Sequence, residues 1–434
     1  MSTNYSAHVA ARRRTTEAAL AAEGFDALVL SSGKPFTYYS DDQDAPFRTT
    51  PHFAHWLPLA GPDHLLCVTA GKRPKLVRVA PEDYWYEQAA LGDPFWKSEF
   101  DLVEVGDAAK GWKSLSPGAR TAYVGDHPEA AKAAGIAAAA INPPKLVARL
   151  DWARAYKSAY EIECQSLATQ RAAKGHKAAK HAFESGASEL EIHHLYLEAT
   201  GCVDRELPYE SIVALDEKGA TLHYQSKRTQ RDGRVLLIDI GAPWLGYGSD
   251  ITRTWTTDAA DPVFRELTRG LDAAQQRLCA LAKPGIAYLD LHVAAHREIA
   301  DLLHQLGILG VGGMDAVERG LTRPFFPHGV GHFLGIQVHD VGGRQAEPTG
   351  GTKAPPAQYP YLRTTRAVEE HQVFTIEPGV YFIPMLLREH RSGPNAALFD
   401  WKSIDRLTPF GGVRIEDNLV VTQDGHRNLT RPHI

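Results

Sequence analysis

The sequence predicts an α+β protein in two parts, a smaller α/β domain at the N-terminus and a larger domain in which helices interleave with antiparallel strands. Three observations carry this. Over roughly the first 150 residues, short strand-like runs exchange with helical patches, the pattern of a self-contained α/β domain. At Asn142-Pro143-Pro144 the composition breaks, and a Pro-Pro step resets the direction of the chain because it cannot continue a helix. Beyond it, long helical runs lead into a stretch from Leu321 to Thr422 that is mostly strand and loop. The 434 residues suit two or three domains, and we divide them at 1–155 and 156–434.

Taken in order, an Ala- and Arg-rich helix runs from about Tyr5 to Ala22 and is closed by Gly24. Strands follow at Ala27–Ser32, Leu65–Ala70, Lys75–Ala80 and Thr121–Gly125, with a helical patch at Ala130–Ala140. Between the first two strands lies Tyr38 to Pro58, dense in aromatics, Asp and Pro. A loop of that length is functional, at an interface, or simply solvated, although its aromatics argue against full exposure. A helical run covers Lys145 to Ser185, with polar Arg154, Lys157, Glu161 and Glu163 and a register shift near Lys157-Ser158. Ser188 with Glu191 three residues on is a capping-box pattern opening a helix to about Thr200. Further helices cover Pro262–Lys283 and Tyr288–Leu306.

Composition excludes several classes. A net charge of −5 gives no electrostatic reason to expect nucleic acid or an anionic membrane as partner. No apolar run approaches the ~18 residues that span a bilayer, and the polar segment after Arg12-Arg13-Arg14 is not a signal core. The four cysteines, Cys67, Cys164, Cys202 and Cys279, are scattered without a C-x-x-C pair, which fits a reducing, cytoplasmic compartment.

The chemistry centres on Val235 to Trp255. An apolar run ends on Asp239, a Gly- and Pro-rich turn follows, and Asp250 opens a second β-prone run. If this hairpin folds symmetrically about Trp244/Leu245, the two aspartates face each other with Cβ atoms roughly 5 Å apart, close enough to share metal. Alone they could equally end two strands. Three later stretches weigh against that. Pro327 to Asp340 holds His328, His332 and His339 among glycines. Glu377 ends the apolar run of VFTIEPGVY, where a charge needs a partner. In GGVRIEDNLVV, Arg414, Glu416 and Asn418 share one face, and Arg414 beside Glu416 is expected to keep that carboxylate ionised. Four crowded carboxylates, Asp239, Asp250, Glu377 and Glu416, repel one another unless cations intervene. With His332 as fifth donor they suit manganese, cobalt or iron better than a thiolate-type zinc site.

The order D-x10-D, H-G-V-G-H-x2-G-x3-H-D, T-I-E-P-G, G-G-V-R-I-E-D resembles the pita-bread metallopeptidases, most closely the bacterial prolidases, over essentially the whole chain. Tyr38–Pro58 and FFPHGVGHFLGIQVHDVGG also resemble the prolidase-type organophosphorus acid anhydrolases. The resemblance implies a C-terminal pita-bread catalytic domain behind a smaller α/β domain used for substrate capping and dimerisation. It further implies two divalent ions, Mn2+ foremost with Co2+, Fe2+ or Zn2+ as alternatives. The implied reaction is hydrolysis of dipeptides with C-terminal proline, a metal-bound hydroxide attacking the carbonyl before Pro.

Position by position, Asp239 and Asp250 match the family's bidentate and bridging aspartates, His332 its imidazole ligand and Glu416 its second bridging carboxylate. Glu377 matches a ligand that also acts as general base. His223 and His339 match histidines at the scissile unit, and His328 one that lines the pocket or relays a proton. Arg363 resembles the arginine that grips the proline carboxylate. Arg414 would support Glu416, Tyr209 and Val338 would wall the proline pocket, and Asp42 would reach across a homodimer interface towards the substrate amine. The competing expectations are an aminopeptidase P-like activity on longer Xaa-Pro peptides, a side activity on organophosphorus triesters, and a non-catalytic or metal-free relative of the same fold. Retention of all five donors speaks against the last.

Overall fold

Strand β1 (Ala27–Ser31) is buried along its whole length because it has neighbours on both sides. A strand so placed reads as an unbroken apolar run instead of an alternating one. The computed structural model to which it belongs describes residues 2–87 and 90–434. The described chain forms two units, one of residues 1–154, 158–160 and 345–351, the other of residues 155–157, 161–344 and 352–434.

In the first unit, α1 (Ser2–Glu23) precedes β1, and the short α2 (Pro51–Ala54) precedes β2 (Leu65–Thr69) and β3 (Lys75–Val79). Then come β4 (Asp101–Val105), α3 (Ala108–Leu115), β5 (Thr121–Val124), α4 (Pro128–Ala133) and α5 (Pro144–Arg154). The sheet order is β4-β3-β2-β1-β5, with β1 parallel to β5 and antiparallel to β2. The sequence reading misses β4, a half-exposed edge strand whose apolar signal is weak. The patch expected at Ala130–Ala140 is helical only to Ala133, because Gly135 turns left-handed (φ +90°), and residues 138–140 form a separate 3-10 turn.

The single run expected from Lys145 to Ser185 is two helices, α5 and α6 (Ala159–Glu184), broken where the register shifts. Helix α7 (Glu189–Thr200) carries the expected capping box, with Ser188 and Glu191 satisfying each other's backbone N–H groups.

The second unit continues with β6 (Ile212–Leu215), β7 (Val235–Asp239), β8 (Pro243–Trp244), β9 (Tyr247–Gly248) and β10 (Thr252–Thr256), then α8 (Pro262–Leu281), α9 (Tyr288–Gln305) and α10 (Gly313–Glu318). Short strands β11 (Gln345–Glu347) and β12 (Gly350–Thr352), which through residue 351 belong to the first unit, precede β13 (Val373–Ile376) and β14 (Gly379–Tyr381) of the second. Helices α11 (Pro384–Arg388) and α12 (Trp401–Leu407) lead to β15 (Gly412–Arg414), β16 (Asp417–Val421) and β17 (His426–Asn428). Three small antiparallel sheets, β10-β7-β6, β13-β16-β17 and β14-β15, carry Asp239 on a strand and Asp250, Glu377 and Glu416 just beyond strand ends, while His332 comes from a loop. Behind them, α8 and α9 bury Phe264, Leu267, Leu271, Leu291, Ala295 and Ile299 in a core shared with Phe374, Ile376 and Val413. Among the described residues, no helix is long and apolar enough to cross a membrane.

Candidate metal centre

The hairpin of β7 and β10 turns at Leu245-Gly246, both with positive φ (50° and 88°). This is the two-residue geometry that matches strand twist and favours Gly at its second position. The turn lies one residue later than symmetry about Trp244/Leu245 requires, so the register moves by two. Asp239 pairs with Thr252, and Asp250 does not face Asp239. A shift of two keeps both carboxylates on one face. Tyr209 joins them: its hydroxyl donates to Asp239 Oδ1 at 2.7 Å and also engages the Asp250 carboxylate.

His332 and Glu377 meet through a short backbone ladder. Thr375 N–H donates to His332 O (3.0 Å), and Glu377 N–H donates to Val330 O (2.8 Å). Gly331 makes this approach possible, since a Cβ there would lie 2.0 Å from Thr375 O. His332 Nδ1–H donates to Phe333 O at 2.9 Å, which leaves Nε2 turned to Asp250 Oδ2 (3.3 Å) and Glu377 Oε1 (3.7 Å). This is the tautomer a metal-ligating histidine uses.

Glu416 follows β15 and is tied to β10 by its N–H to Thr252 O (3.0 Å). Asp250, His332 and Glu416 bring one donor atom each within 4.8 Å of one another. Glu377 lies beside His332, and Asp239 is near enough for its charge to act on Asp250, Glu377 and Glu416.

The electrostatics describe a site built for cations. Burial, partly offset by His332 and Arg414, pushes Glu377 up to about 7. Burial and the neighbouring carboxylates raise Asp250 and Glu416 as well. Burial opposes protonation of His332, but its hydrogen bond to Asp250 and the charge of Glu377 outweigh it and raise the imidazole. Glu416 Oε1 is buried with no hydrogen-bond partner, a costly arrangement for a carboxylate oxygen. Four carboxylates, one imidazole and an orphaned oxygen fit divalent cations.

Arg414 differs from its expected place beside Glu416. Its Nη2 donates to Asp239 Oδ2 (2.7 Å), its Nη1 to the Tyr381 hydroxyl (2.8 Å) and its Nε to Thr252 Oγ1 (3.1 Å). Its hydrogen bonds reach Glu416 through Thr252; its charge favours the ionised Glu416, but burial and the neighbouring carboxylates outweigh it and raise that carboxyl. Tyr381 and Thr252 escaped the sequence reading. Alternation along β10 places Thr252 on the face of Asp250 and was a usable signal; Tyr381 had none. Tyr381 donates in turn to His328 Nε2 (2.8 Å), while His328 Nδ1–H donates to Gly329 O (2.8 Å). Both imidazole nitrogens are therefore engaged, and burial lowers His328 to about 3.

At the rim, the His339 ring stands perpendicular to that of His332, centroids 4.4 Å apart, and its pKa is lowered by burial, His332, Arg363 and His223. His223 is exposed and close enough to affect both His339 and His328. Arg363 is exposed, and among the described residues it makes no ion pair. Tyr209 and Val338 are half-buried. Asp42 lies in the first unit on an exposed loop, its N–H donating to the Asp41 carboxylate.

Residues 163–423 match metallopeptidase family M24, and residues 3–152 match the N-terminal domain of Xaa-Pro dipeptidase. A Xaa-Pro dipeptidase of Pseudoalteromonas atlantica is 41% identical over 98% of this chain and 97% of its own. One from Klebsiella pneumoniae is 42% identical over the same shares. Among solved structures, zinc-substituted E. coli aminopeptidase P in complex with product superposes with a TM-score of 0.75 at 22% identity, covering 100% of this chain and 96% of that one. Proline aminopeptidase P II from Yersinia pestis gives 0.73 at 24%, covering 100% and 97%.

Proposed function

The chain belongs to metallopeptidase family M24, among the bacterial Xaa-Pro dipeptidases of pita-bread fold, and from that membership we propose how its residues divide the work. It is a metal-dependent hydrolase of Xaa-Pro dipeptides. The observation that carries the site assignment is the convergence of Asp250, His332 and Glu416 around the orphaned Glu416 Oε1, with Asp239 and Glu377 alongside.

Asp239, Asp250, His332, Glu377 and Glu416 would hold two divalent ions, manganese foremost, because the donors are hard oxygens with one imidazole. When bound, such ions activate water and polarise the substrate carbonyl. Glu377 takes the proton of the attacking water and delivers it to the proline nitrogen as the C–N bond breaks. His339 and His223 donate to the carbonyl oxygen as charge develops on it. His328 lines the pocket: both of its nitrogens are engaged, which favours that role over proton relay. Arg363, exposed and without an ion pair among the described residues, grips the proline carboxylate. Tyr209 and Val338 wall the proline ring, and Tyr209 also steadies Asp239.

A homodimer suits the exposed aromatics Phe36, Tyr39, Tyr84 and Trp85, with Asp42 of a second copy meeting the substrate amine. A boundary near residue 155 accords with the two family matches. A cytoplasmic location accords with four free cysteines. The test is a manganese-reconstituted assay on Xaa-Pro dipeptides, a tripeptide and a phosphotriester. Turnover confined to dipeptides is expected; a preference for the tripeptide would overturn the dipeptide reading.

A further inference from the structure

Lys157, conspicuous in the sequence and unused by the chemistry above, is buried opposite Asp340. Lys157 Nζ lies 2.8 Å from Asp340 Oδ2, with the two side chains only 1% and 2% exposed. A pair so dry gains little stability over two apolar residues of the same size, because desolvation offsets much of the attraction. What it does offer is a single defined geometry, and the chain makes room for it. A Cβ at Gly335 would lie 2.2 Å from Asp340 Oδ2 and 3.0 Å from Lys157 Cε.

The segment held in this way is the one that carries Val338 and His339. Asp340 N–H donates to Phe333 O (2.9 Å), the same carbonyl that receives His332 Nδ1–H. Asp340 Oδ1 accepts from Val341 N–H at 3.0 Å. At the other end of the loop, Gly335 O accepts from Gly248 N–H (3.2 Å), and Gly335 N–H donates to Gln337 O (3.0 Å). Residues 336–339 are therefore a short arch fixed at both feet. One foot is clamped to the hairpin that carries the aspartates, the other by the Lys157–Asp340 pair immediately after His339.

We propose that Lys157 and Asp340 are positioning residues: their buried ion pair sets the direction of His339, and of Val338 beside it, relative to His332 and the substrate carbonyl. The inference rests on the role given to His339 above. A misplacement of about 1 Å in a group that stabilises developing charge lowers turnover by as much as 10²-fold, and neither residue needs to touch substrate to cause it.

The test uses the manganese-loaded full chain. Removing one charge strands the other and can unfold the protein, so the informative variant is Lys157→Met/Asp340→Leu, which removes both. Manganese titrated calorimetrically is expected to bind as in the parent, while kcat on a Xaa-Pro dipeptide falls about 10- to 100-fold. Lys157→Arg, which keeps both charges, is expected to retain most activity. In a His339→Ala background the double change is expected to lower kcat no further. Undiminished kcat in the double variant, or an equal further fall without His339, overturns the positioning role. Full activity of His339→Ala alone instead overturns the role given to His339, a distinguishable failure.

Discussion

Thr252 Oγ1 donates to Glu416 Oε2 at 2.8 Å across 164 residues of chain, leaving Oε1 of the same carboxylate buried and unpartnered. The same hydroxyl oxygen accepts from Arg414 Nε, whose Nη2 holds Asp239. One threonine thus orients Glu416 and links it to the cation that holds another donor.

Thr252→Val keeps the β-branched shape that strand β10 favours and removes this link. Loss of such an outer partner typically costs 10- to 100-fold in metal affinity, and we expect a loss of that order for manganese, read by calorimetric titration. Chelator-stripped parent protein should show a thermal midpoint that rises as manganese is restored, because an ion that binds only the folded state stabilises it by mass action. Unchanged affinity in the valine variant would remove Thr252 from the support of the centre.

Glu377→Gln preserves size and one oxygen donor but cannot accept a proton. Turnover is expected to fall by at least ~10²-fold, the lower range of general-base contributions. Near-parental turnover, with metal content matched by elemental analysis, would show that the proton goes elsewhere.

Arg363→Ala should raise KM for a Xaa-Pro dipeptide more than it lowers kcat, since a carboxylate contact remote from the scissile bond contributes mainly to uniform binding. A charged hydrogen bond of this kind is worth about 1.5–3 kcal/mol, or roughly 10- to 150-fold. Equal KM in parent and variant removes Arg363 from the site.

His64, in the first unit, makes stability depend on pH. Its Nδ1 accepts from Val79 N–H (3.1 Å) and its Nε2–H donates to Ala60 O (3.2 Å), so the neutral ring is the one that fits. Burial lowers its pKa to about 4 from the ordinary 6.5. Above pH 6.5 the ring is neutral folded or unfolded and has no effect. Between 6.5 and 4 the unfolded chain binds a proton the folded one does not, so stability is lost as pH falls. The full loss is about 3 kcal/mol. Urea unfolding of the first unit at pH 7, 5.5 and 4.5 should therefore show a steeper decline in the parent than in His64→Gln; parallel declines would exclude His64 as the cause.

The sequence by itself singled out the five candidate donors. Asp239 and Glu377 stand out because charged residues terminate apolar runs that only a buried strand explains, and His332 and Glu416 because their neighbours are glycine-rich or alternate in a strand pattern. It also determined most strands and long helices, since local periodicity and capping specify them.

Only the tertiary structure decided how the donors are joined. A turn one residue later set Asp239 against Thr252, and register is a property of paired strands, not of either alone. Arg414 chose Asp239 over the adjacent Glu416 across 175 residues. Tyr381, Thr252 and the Lys157–Asp340 pair became visible only when distant segments met. Side-chain partners at such separations are selected by packing and desolvation in the folded interior, which no local pattern encodes.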